Sequence, residues 1–446
     1  MIKAVKGMND ILPHAGETFL DAAVWQFIEK AAIDVLESFG YRHVRLPIVE
    51  ETSLFARGIG ADTDIVQKEM YTFTDRGERS LTLRPEGTAG VVRAYLEHGF
   101  CKTDPIQRYW YLGPMFRAEA PQKGRYRQFY QIGAEFLGVK TALADAELLI
   151  LLHHFCTRLG LSDIKVKLNS LGDPESRSRY REVLTGYFNA KTNLLCESCQ
   201  RRLLTNPLRV LDCKRPACRE VAAAAPLLPD AWSEEARKHF DRVRDLAEKA
   251  GVPVQSDPRL VRGLDYYTST LFEFSTSALG AQDAILGGGR YDDLVEELGG
   301  PSIPAIGFAA GIERLALLVS ERVLHGSRTP WDGPHLYIIP MPGQESHALA
   351  LAAEIRQESP LTIEVDVSEG RLKQQMRRAD RIGALAALVL GEDEIVSGVA
   401  ALKNLRQSTM GVPEAKTEAK VLLNGKSLSI ALGKLSRESY RVGTGD

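Results

Sequence analysis

Two long stretches of strand-forming sequence, Gln107–Glu119 and Arg127–Leu137, are separated only by the polar connection Ala120–Tyr126. A link that short joins antiparallel neighbours, since a parallel return needs a crossover of a dozen residues or more. The segment therefore reads as a long hairpin. Side chains alternate along a strand, so Phe129, Gln131, Gly133 and Glu135 share one face of its second arm. Arg117 and Glu119 share a face at the end of the first. An aromatic ring, an amide, two carboxylates and a guanidinium converging there could form a ligand platform, with Gly133 leaving room for the ligand. The bland alternative is a solvated sheet face, for which Phe and Gly are odd choices.

The rest of the chain extends this picture. Apolar residues at helical spacing over 17–39 end at Gly40, a C-cap residue, and Tyr41–Leu46 reads as a strand interrupted by Pro47. Glu69–Phe73 and Leu81–Leu83 read as strands around a turn. A helix is expected from Thr88 to His98 and another over 141–160, with a strand at Ile164–Asn169. From about 173 to 250 the texture is helical and charged. Strand signals return at 260–276 and 282–288, then helices near 290–298 and 308–323. After a Gly/Ser/Arg/Pro-rich stretch, His325–Gly333, short apolar strands alternate with helices, the signature of a separate α/β domain built from parallel strands.

At 446 residues the chain exceeds one ordinary core, so two or three domains are expected. With 44% apolar and 26% charged residues it has a globular composition. No apolar run reaches the length of a membrane span, and Met1–Pro13 lacks the apolar stretch of a signal peptide, so a cytoplasmic protein with no membrane partner is the simplest reading. The net charge of −2 rules out a coat of positive charge but not a local basic patch.

Gly425-Lys426-Ser427 ends like a phosphate loop, but residue 420 is Lys where the leading glycine belongs, and no long helix is expected to follow. Phosphate binding needs another device. Arg84-Pro-Glu-Gly-Thr88 ends a strand and opens a helix, where free N–H groups suit an anion or simply a capped turn. Arg262-Gly-Leu-Asp-Tyr-Tyr267 sets an arginine and two aromatics beside a glycine, and Gly311-Ile-Glu-Arg314 sets an arginine at an apolar helix start. Singly, each arginine suits a salt bridge. Together, in Gly-containing apolar contexts, they suit a polyphosphate.

These segments resemble known signatures. The helix and strand ending at Pro47, Phe116-Arg117-Ala118-Glu119, and Gly311–Arg314 resemble, in order, motifs 1, 2 and 3 of class II aminoacyl-tRNA synthetases. Leu83–Ala89 and Arg262–Tyr267 resemble segments peculiar to the histidyl-tRNA synthetase family, and Lys6–Asp10 and Pro121–Arg127 agree. The resemblance implies an α/β chain. An α+β catalytic domain over 1–325 would have an antiparallel sheet flanked by helices and a helical insertion at about 173–250. A smaller α/β anticodon-binding domain would occupy 333–446.

The resemblance also implies roles. Arg117 and Arg262, the catalytic pair, would hold the ATP α-phosphate from two sides. Glu119 would meet the adenine amino group, Phe129 would stack on adenine, and Arg314 would bind the γ-phosphate. Glu86 and Thr88 would hold the α-amino group of histidine, with Gln131 near its backbone. Glu135 and Tyr267 would reach the imidazole, and Tyr266 and Arg262 would complete that pocket. The implied reaction joins L-histidine to ATP as histidyl-adenylate and then charges tRNA(His). It needs Mg2+ with the nucleotide but no organic prosthetic group and no protein nucleophile. A homodimer is implied because motif 1 is the family's dimer interface. Ala120 stands where arginine is frequent, and Tyr130 where histidine is frequent. Ala120 lies in the loop expected, with Gln122, to meet the tRNA acceptor end. A non-catalytic paralogue that regulates histidine biosynthesis is the alternative, but it would resemble these motifs only loosely and lack the last domain.

Two features remain. Cys196-x2-Cys199 and Cys213-x4-Cys218 resemble a zinc knuckle, but the second pair is looser than usual. Reduced thiols in a small helical insertion are the preferred reading, with no metal assigned. Lys373, Arg377 and Arg381 fall at i, i+4 and i+8 on one helix face, with Arg371 and Arg378 beside them. Such a stripe is either a solvated face or, given the resemblance, a contact for tRNA phosphates.

Overall fold

The long hairpin forms, pairing antiparallel from Gln107 opposite Leu137 to Phe116 opposite Gln128. The computed structural model describes residues 2–13, 17–60, 63–122, 124–279, 283–323, 333–405 and 418–441. The chain divides into two units, Met1–Val323 and Leu324–Asp446.

In chain order the strands of the first unit are β1 (Arg42–His43), β2 (Val49–Glu51), β3 (Tyr71–Thr74), β4 (Ser80–Leu83), β5 (Gln107–Phe116), β6 (Gln128–Leu137), β7 (Lys165–Ser170), β8 (Val254–Ser256), β9 (Thr270–Ser275), β10 (Ala284–Arg290) and β11 (Ala305–Gly311). Eight of them make one sheet in the order β1-β5-β6-β11-β10-β9-β7-β8, while β2-β4-β3 form a small antiparallel sheet. Every pairing in the large sheet is antiparallel except β1 with β5 and β7 with β8 at its edges.

One face of this sheet is a helix-covered core. Trp110, Ile132, Ala134, Phe136, Ile306, Phe308, Phe272 and Phe274 point into it and meet the apolar sides of the helices Ala22–Ser38, Ala142–Arg158, Glu234–Lys249 and Ile312–Val323. The helix Ala22–Ser38 starts where Asp21 accepts a hydrogen bond from the Ala23 N–H at 2.8 Å, and it buries Val24, Trp25, Ile28, Ala31, Ala32, Val35 and Leu36. Each large apolar side chain buried there contributes about 1.5–3 kcal/mol. Ile28 is fully enclosed, so Ile28→Ala would cost about 2–5 kcal/mol.

Several local expectations are corrected. The Tyr41–Leu46 strand shrinks to Arg42–His43, paired parallel with Tyr109 and Trp110. Residues 260–269 are not a strand, because β9 begins only at Thr270. The helix expected from 308 begins at Ile312, and Ala305–Gly311 is instead the strand beside β6. The helix near 290–298 is only Leu294–Glu297.

The second unit holds β12 (Leu336–Pro340), β13 (Ile363–Val365), β14 (Ala386–Leu390), β15 (Val399–Asn404) and β16 (Glu418–Leu422), in the order β13-β12-β14-β15-β16. The strands legible in the sequence, β12 to β14, run parallel as expected, but β15 and β16 add antiparallel strands. A helix, Gly425–Arg441, does follow the phosphate-loop-like tripeptide, which forms its first turn; the Asn424 side chain caps it through the Ser427 N–H at 2.9 Å.

Candidate active site

The other face of the large sheet has a floor of small residues. Beside Gln131, Gly133 and Glu135 of β6 lie Gly311, Ala309 and Gly307 of β11, and beyond them Gly287 and Gly289 of β10. The glycines make room for particular side chains. A methyl group on Gly307 would sit on the Glu135 carboxylate, one on Gly287 would meet the Arg262 guanidinium, and one on Gly113 would meet that of Arg84. A methyl on Gly133 would collide with the phenol of Tyr111. This corrects the sequence reading: the space above Gly133 belongs to Tyr111.

Glu135 is completely buried. Its Oε1 accepts from the Thr88 hydroxyl at 2.7 Å and from the Tyr111 hydroxyl at 3.4 Å, and its Oε2 accepts from the Tyr291 hydroxyl at 2.5 Å. Burial pushes its carboxyl up to about 8, although the hydroxyls of Tyr291 and Thr88 favour the charged form. Burial also holds the phenols of Tyr111, Tyr266, Tyr267 and Tyr291 above their ordinary value, so each is an O–H donor at neutral pH. A carboxylate has about four lone-pair directions, so three hydroxyls leave one for a further donor.

Around Glu135 the expected residues converge. Glu86 accepts from the Thr88 and Ala89 N–H groups at 2.6 and 2.8 Å, capping the helix Thr88–Glu97. It is buried, and burial raises its carboxyl. Tyr266 and Tyr267 are buried with ring centroids 4.7 Å apart, and Tyr291 meets Tyr266 edge-on at 5.6 Å. Gln131 has a buried Oε1 with no hydrogen-bond partner, an acceptor on the same face of β6 as Glu135.

Along the same face the chemistry becomes cationic. The Arg117 guanidinium lies 5.2 Å from the ring centroid of Phe129, and its Nε donates to the Pro85 carbonyl at 3.0 Å. Glu119 meets Arg125 at 3.4 Å. Arg262 is held by Glu273 at 3.1 Å, and Arg314 donates to the Ala284 carbonyl at 2.5 Å. Burial and the like charge of Arg125, with Arg262 also close, push the Arg314 guanidinium down. Arginines crowded together despite mutual repulsion suit a polyanion.

Sequence reading missed Tyr111, Tyr291, Glu273 and Glu313. Glu313 is buried and its carboxylate accepts the Tyr130 N–H at 2.9 and 3.2 Å, continuing the ladder where β11 ends at Gly311. Burial pushes it up to about 8. Its place inside Gly311–Arg314 was the only available signal. The turn Arg84–Thr88 takes the capped form, with the Thr88 and Ala89 N–H groups held by Glu86, and Arg84 braces the hairpin, donating to the carbonyls of Pro114 and Leu46 at 2.9 and 3.1 Å. Gln122 is exposed at the tip of the β5–β6 connection, in a turn closed by its backbone bonds with Arg125. Lys373, Arg377 and Arg381 lie in the second unit, exposed on the helix Leu372–Arg381, whose buried side carries Gln375 and Ala379.

Comparison with known proteins places the whole chain among relatives. Residues 7–315 match the histidyl-tRNA synthetase family model, and residues 335–421 match that of an anticodon binding domain. The chain is 47% identical over 438 residues to the histidine–tRNA ligase of Desulfatibacillum aliphaticivorans, covering 97% of this chain and 99% of that one. It is 48% identical over 409 residues to the enzyme of the same name from Halorhodospira halophila, covering 91% and 93%. The apo histidyl-tRNA synthetase of S. aureus superposes with a TM-score of 0.77 at 35% identity, covering 97% of this chain and all of that one (100%). A small-residue sheet floor, a buried carboxylate ringed by hydroxyls and a row of arginines thus occur in a chain that matches these relatives nearly end to end, and the chain belongs to the histidyl-tRNA synthetase family.

Proposed function

We propose that this protein activates L-histidine with ATP and transfers it to tRNA(His). The observation that carries this reading is Glu135, a fully buried carboxylate with a remaining acceptor direction, on the same sheet face as the arginine row. An imidazole N–H is a donor suited to that acceptor, and the Tyr267 hydroxyl can donate to the other ring nitrogen. Glu86, with Thr88, attracts the α-amino group. The unpartnered Gln131 Oε1 accepts from the amino acid backbone. An apolar isostere of histidine would leave this buried acceptor unpaired, so selection needs no editing domain.

In the first step a histidine carboxylate oxygen attacks the α-phosphorus of ATP. The bond to the bridging oxygen breaks, and pyrophosphate leaves with the electron pair. Arg117 and Arg262 face the α-phosphate and balance the charge that builds there. Phe129 stacks on adenine with Arg117 over its ring, Glu119 takes the adenine amino group, and Arg314 holds the γ-phosphate. In the second step the terminal ribose hydroxyl of tRNA attacks the activated carbonyl and AMP leaves. Gln122 at the loop tip meets the acceptor end, beside the exposed Ala120. Mg2+ arrives with ATP as part of the substrate. Glu119 and Glu273 are each held by an arginine, so these carboxylates do not form a dedicated cage for it.

The catalytic body spans 1–325, with an insertion over about 173–250, and the anticodon-binding domain spans 333–446. The protein works as a homodimer through its motif 1 region, where Ile48 and Val49 are exposed. Its tRNA partner places the work in the cytoplasm. The regulatory-paralogue reading is disfavoured by the full arginine row and by the second unit.

The test is ATP–pyrophosphate exchange by the purified protein, followed by charging of tRNA(His). Exchange that requires histidine is expected; exchange absent, or equal with other amino acids, overturns the proposal. Light scattering of the purified protein reports the dimer.

A further inference from the structure

The insertion holds a group of thiols that the reaction described above does not use. The Sγ atoms of Cys196, Cys199, Cys213 and Cys218 all lie within 4.8 Å of one another. No disulfide joins any of them. Cys199, Cys213 and Cys218 are buried and Cys196 is partly exposed.

The unequal spacings conceal one repeated device. Cys196 directly precedes the helix Glu197–Thr205, and Cys199 is that helix's third residue. Cys213 precedes the helix Pro216–Ala223, and Cys218 is again the third residue. The longer x4 link merely contains the turn leading into Pro216. Two thiols thus lie in the first turns of helices. The Cys196 N–H donates to Cys218 Sγ at 3.2 Å, tying the two pairs together.

Four sulfurs in mutual proximity can serve three ends. Two disulfides would draw them into two bonded pairs, each about 2 Å apart, rather than one group of four. An iron–sulfur cluster spreads its thiolates over several irons and so needs them wider apart. A single tetrahedral ion with metal–sulfur bonds of about 2.3 Å sets its sulfurs about 3.8 Å from one another, inside the observed limit. Four thiolates in a tetrahedron suit zinc, and with four protein ligands there is no open position for catalysis. Around the sulfurs, residues 192–231 consist of short helices and turns, and an ion at their centre would tie these together beside the buried Leu195, Leu203, Val210 and Val221.

The position of the cluster suggests what it braces. Between its two halves, Asn206 and Arg209 both bond Asp265 Oδ1, at 2.8 and 2.7 Å, and Arg209 also donates to the Gly263 carbonyl at 2.6 Å. Gly263 and Asp265 belong to the segment that presents Arg262, Tyr266 and Tyr267. We propose that Cys196, Cys199, Cys213 and Cys218 bind one zinc ion as a structural tetrathiolate, which fixes the insertion and, through Asn206 and Arg209, the Arg262–Tyr267 segment. Binding exchanges each thiol proton for a bond to the ion, so the protons pass to solvent.

The proposal is tested on the full-length protein purified without chelator, by elemental analysis and by thiol titration under native conditions. About one zinc per chain and four thiols shielded from reagent until a chelator is added are expected. Replacement by cobalt should give the intense visible and near-ultraviolet bands of a tetrahedral tetrathiolate. Cys199→Ser and Cys218→Ser should each lose the metal, while Cys101→Ser keeps it. Metal-free wild-type protein with all four thiols freely reactive overturns the proposal. So does detection of native disulfides among them, or unchanged zinc content in both serine variants. The wild-type measurement decides the matter even if the variants fail to fold, and it does so whether or not the protein activates histidine.

Discussion

Tyr291 donates to Glu135 Oε2 at 2.5 Å in a site where both side chains are almost wholly enclosed. A charge-assisted hydrogen bond of this kind contributes about 1.5–3 kcal/mol, or roughly a 10- to 100-fold factor in an equilibrium. If the ionised Glu135 recognises the imidazole, Tyr291→Phe should weaken histidine binding by that factor, because the bond favours the charged carboxylate. ATP affinity should stay within about twofold, which calorimetry with each substrate would measure. Equal weakening of both substrates would mean that Tyr291 only supports the sheet.

The glycine beneath that carboxylate gives an independent test. Gly307→Ala would place a methyl group on the Glu135 carboxylate and 2.7 Å from the Ala134 carbonyl oxygen, so the carboxylate and the local β6–β11 pairing both have to shift. Misplacing a recognition group by about 1 Å costs roughly 100-fold. Histidine-dependent pyrophosphate exchange should fall by at least that, measured at a temperature where circular dichroism shows the variant folded, since the backbone clash also lowers the melting temperature. Near-normal kcat/KM for histidine would show that Glu135 is not the recognition group.

The raised Glu135 carboxyl, at about 8, predicts a pH dependence with a definite sign. Below that value the free site holds a proton, and it must release one to accept an imidazole N–H. Between about pH 6.5, where free imidazole loses its own proton, and about 8, the Kd for histidine should fall close to tenfold per unit, then level off. A flat profile over this window would mean that the bound pair keeps the proton. Stability runs the other way. The protonated carboxyl contributes stability that is fully present below the ordinary carboxylate range and is lost as pH rises to about 8. Buried Glu313, also pushed up to about 8, adds to that loss.

Arg262 separates binding from chemistry. Arg262→His removes a permanent charge from the α-phosphate while leaving Glu135 and its hydroxyls in place. Adenylate formation should drop by about 10²–10³, with much smaller change in histidine affinity. Rapid-quench measurement of adenylate formation, alongside equilibrium histidine binding, distinguishes this from a general disturbance of the pocket. Parallel losses in both would assign Arg262 to holding the segment instead.

Where one local pattern carried the information, the sequence was readable. The alternation of Arg127–Leu137 put Gln131 and Glu135 on one face, and the helical spacing after Thr141 gave the helix that covers the other. The failures came from partners distant in the chain. Val261, Leu264, Tyr266 and Tyr267 look like a strand, but Asp265 is bound by Asn206 and Arg209, and Gly263 by Arg209, so the segment folds as a turn. Ala305–Gly311 has the small residues of a helix start, yet it is a central strand whose Gly307 makes room for Glu135. Tyr111 and Tyr291 stand 24 and 156 residues from the carboxylate they serve, and nothing beside either marks the connection.

The last prediction concerns the second unit. Lys373, Arg377 and Arg381 stand exposed on the helix Leu372–Arg381, opposite the side that buries Gln375 and Ala379. A row of cations along one exposed face can meet phosphates at intervals without reading bases. The hypothesis is that this row meets tRNA around the anticodon stem. Replacing all three with Ala should raise the KM for tRNA and lower the slope of log affinity against log salt by about one for each phosphate no longer neutralised. Pyrophosphate exchange should be unchanged, since the helix lies in a different unit from the residues assigned to ATP and histidine. Charging assays at several salt concentrations measure both quantities. If affinity and slope are retained, the row is a solvated face and tRNA docks on another surface of the unit.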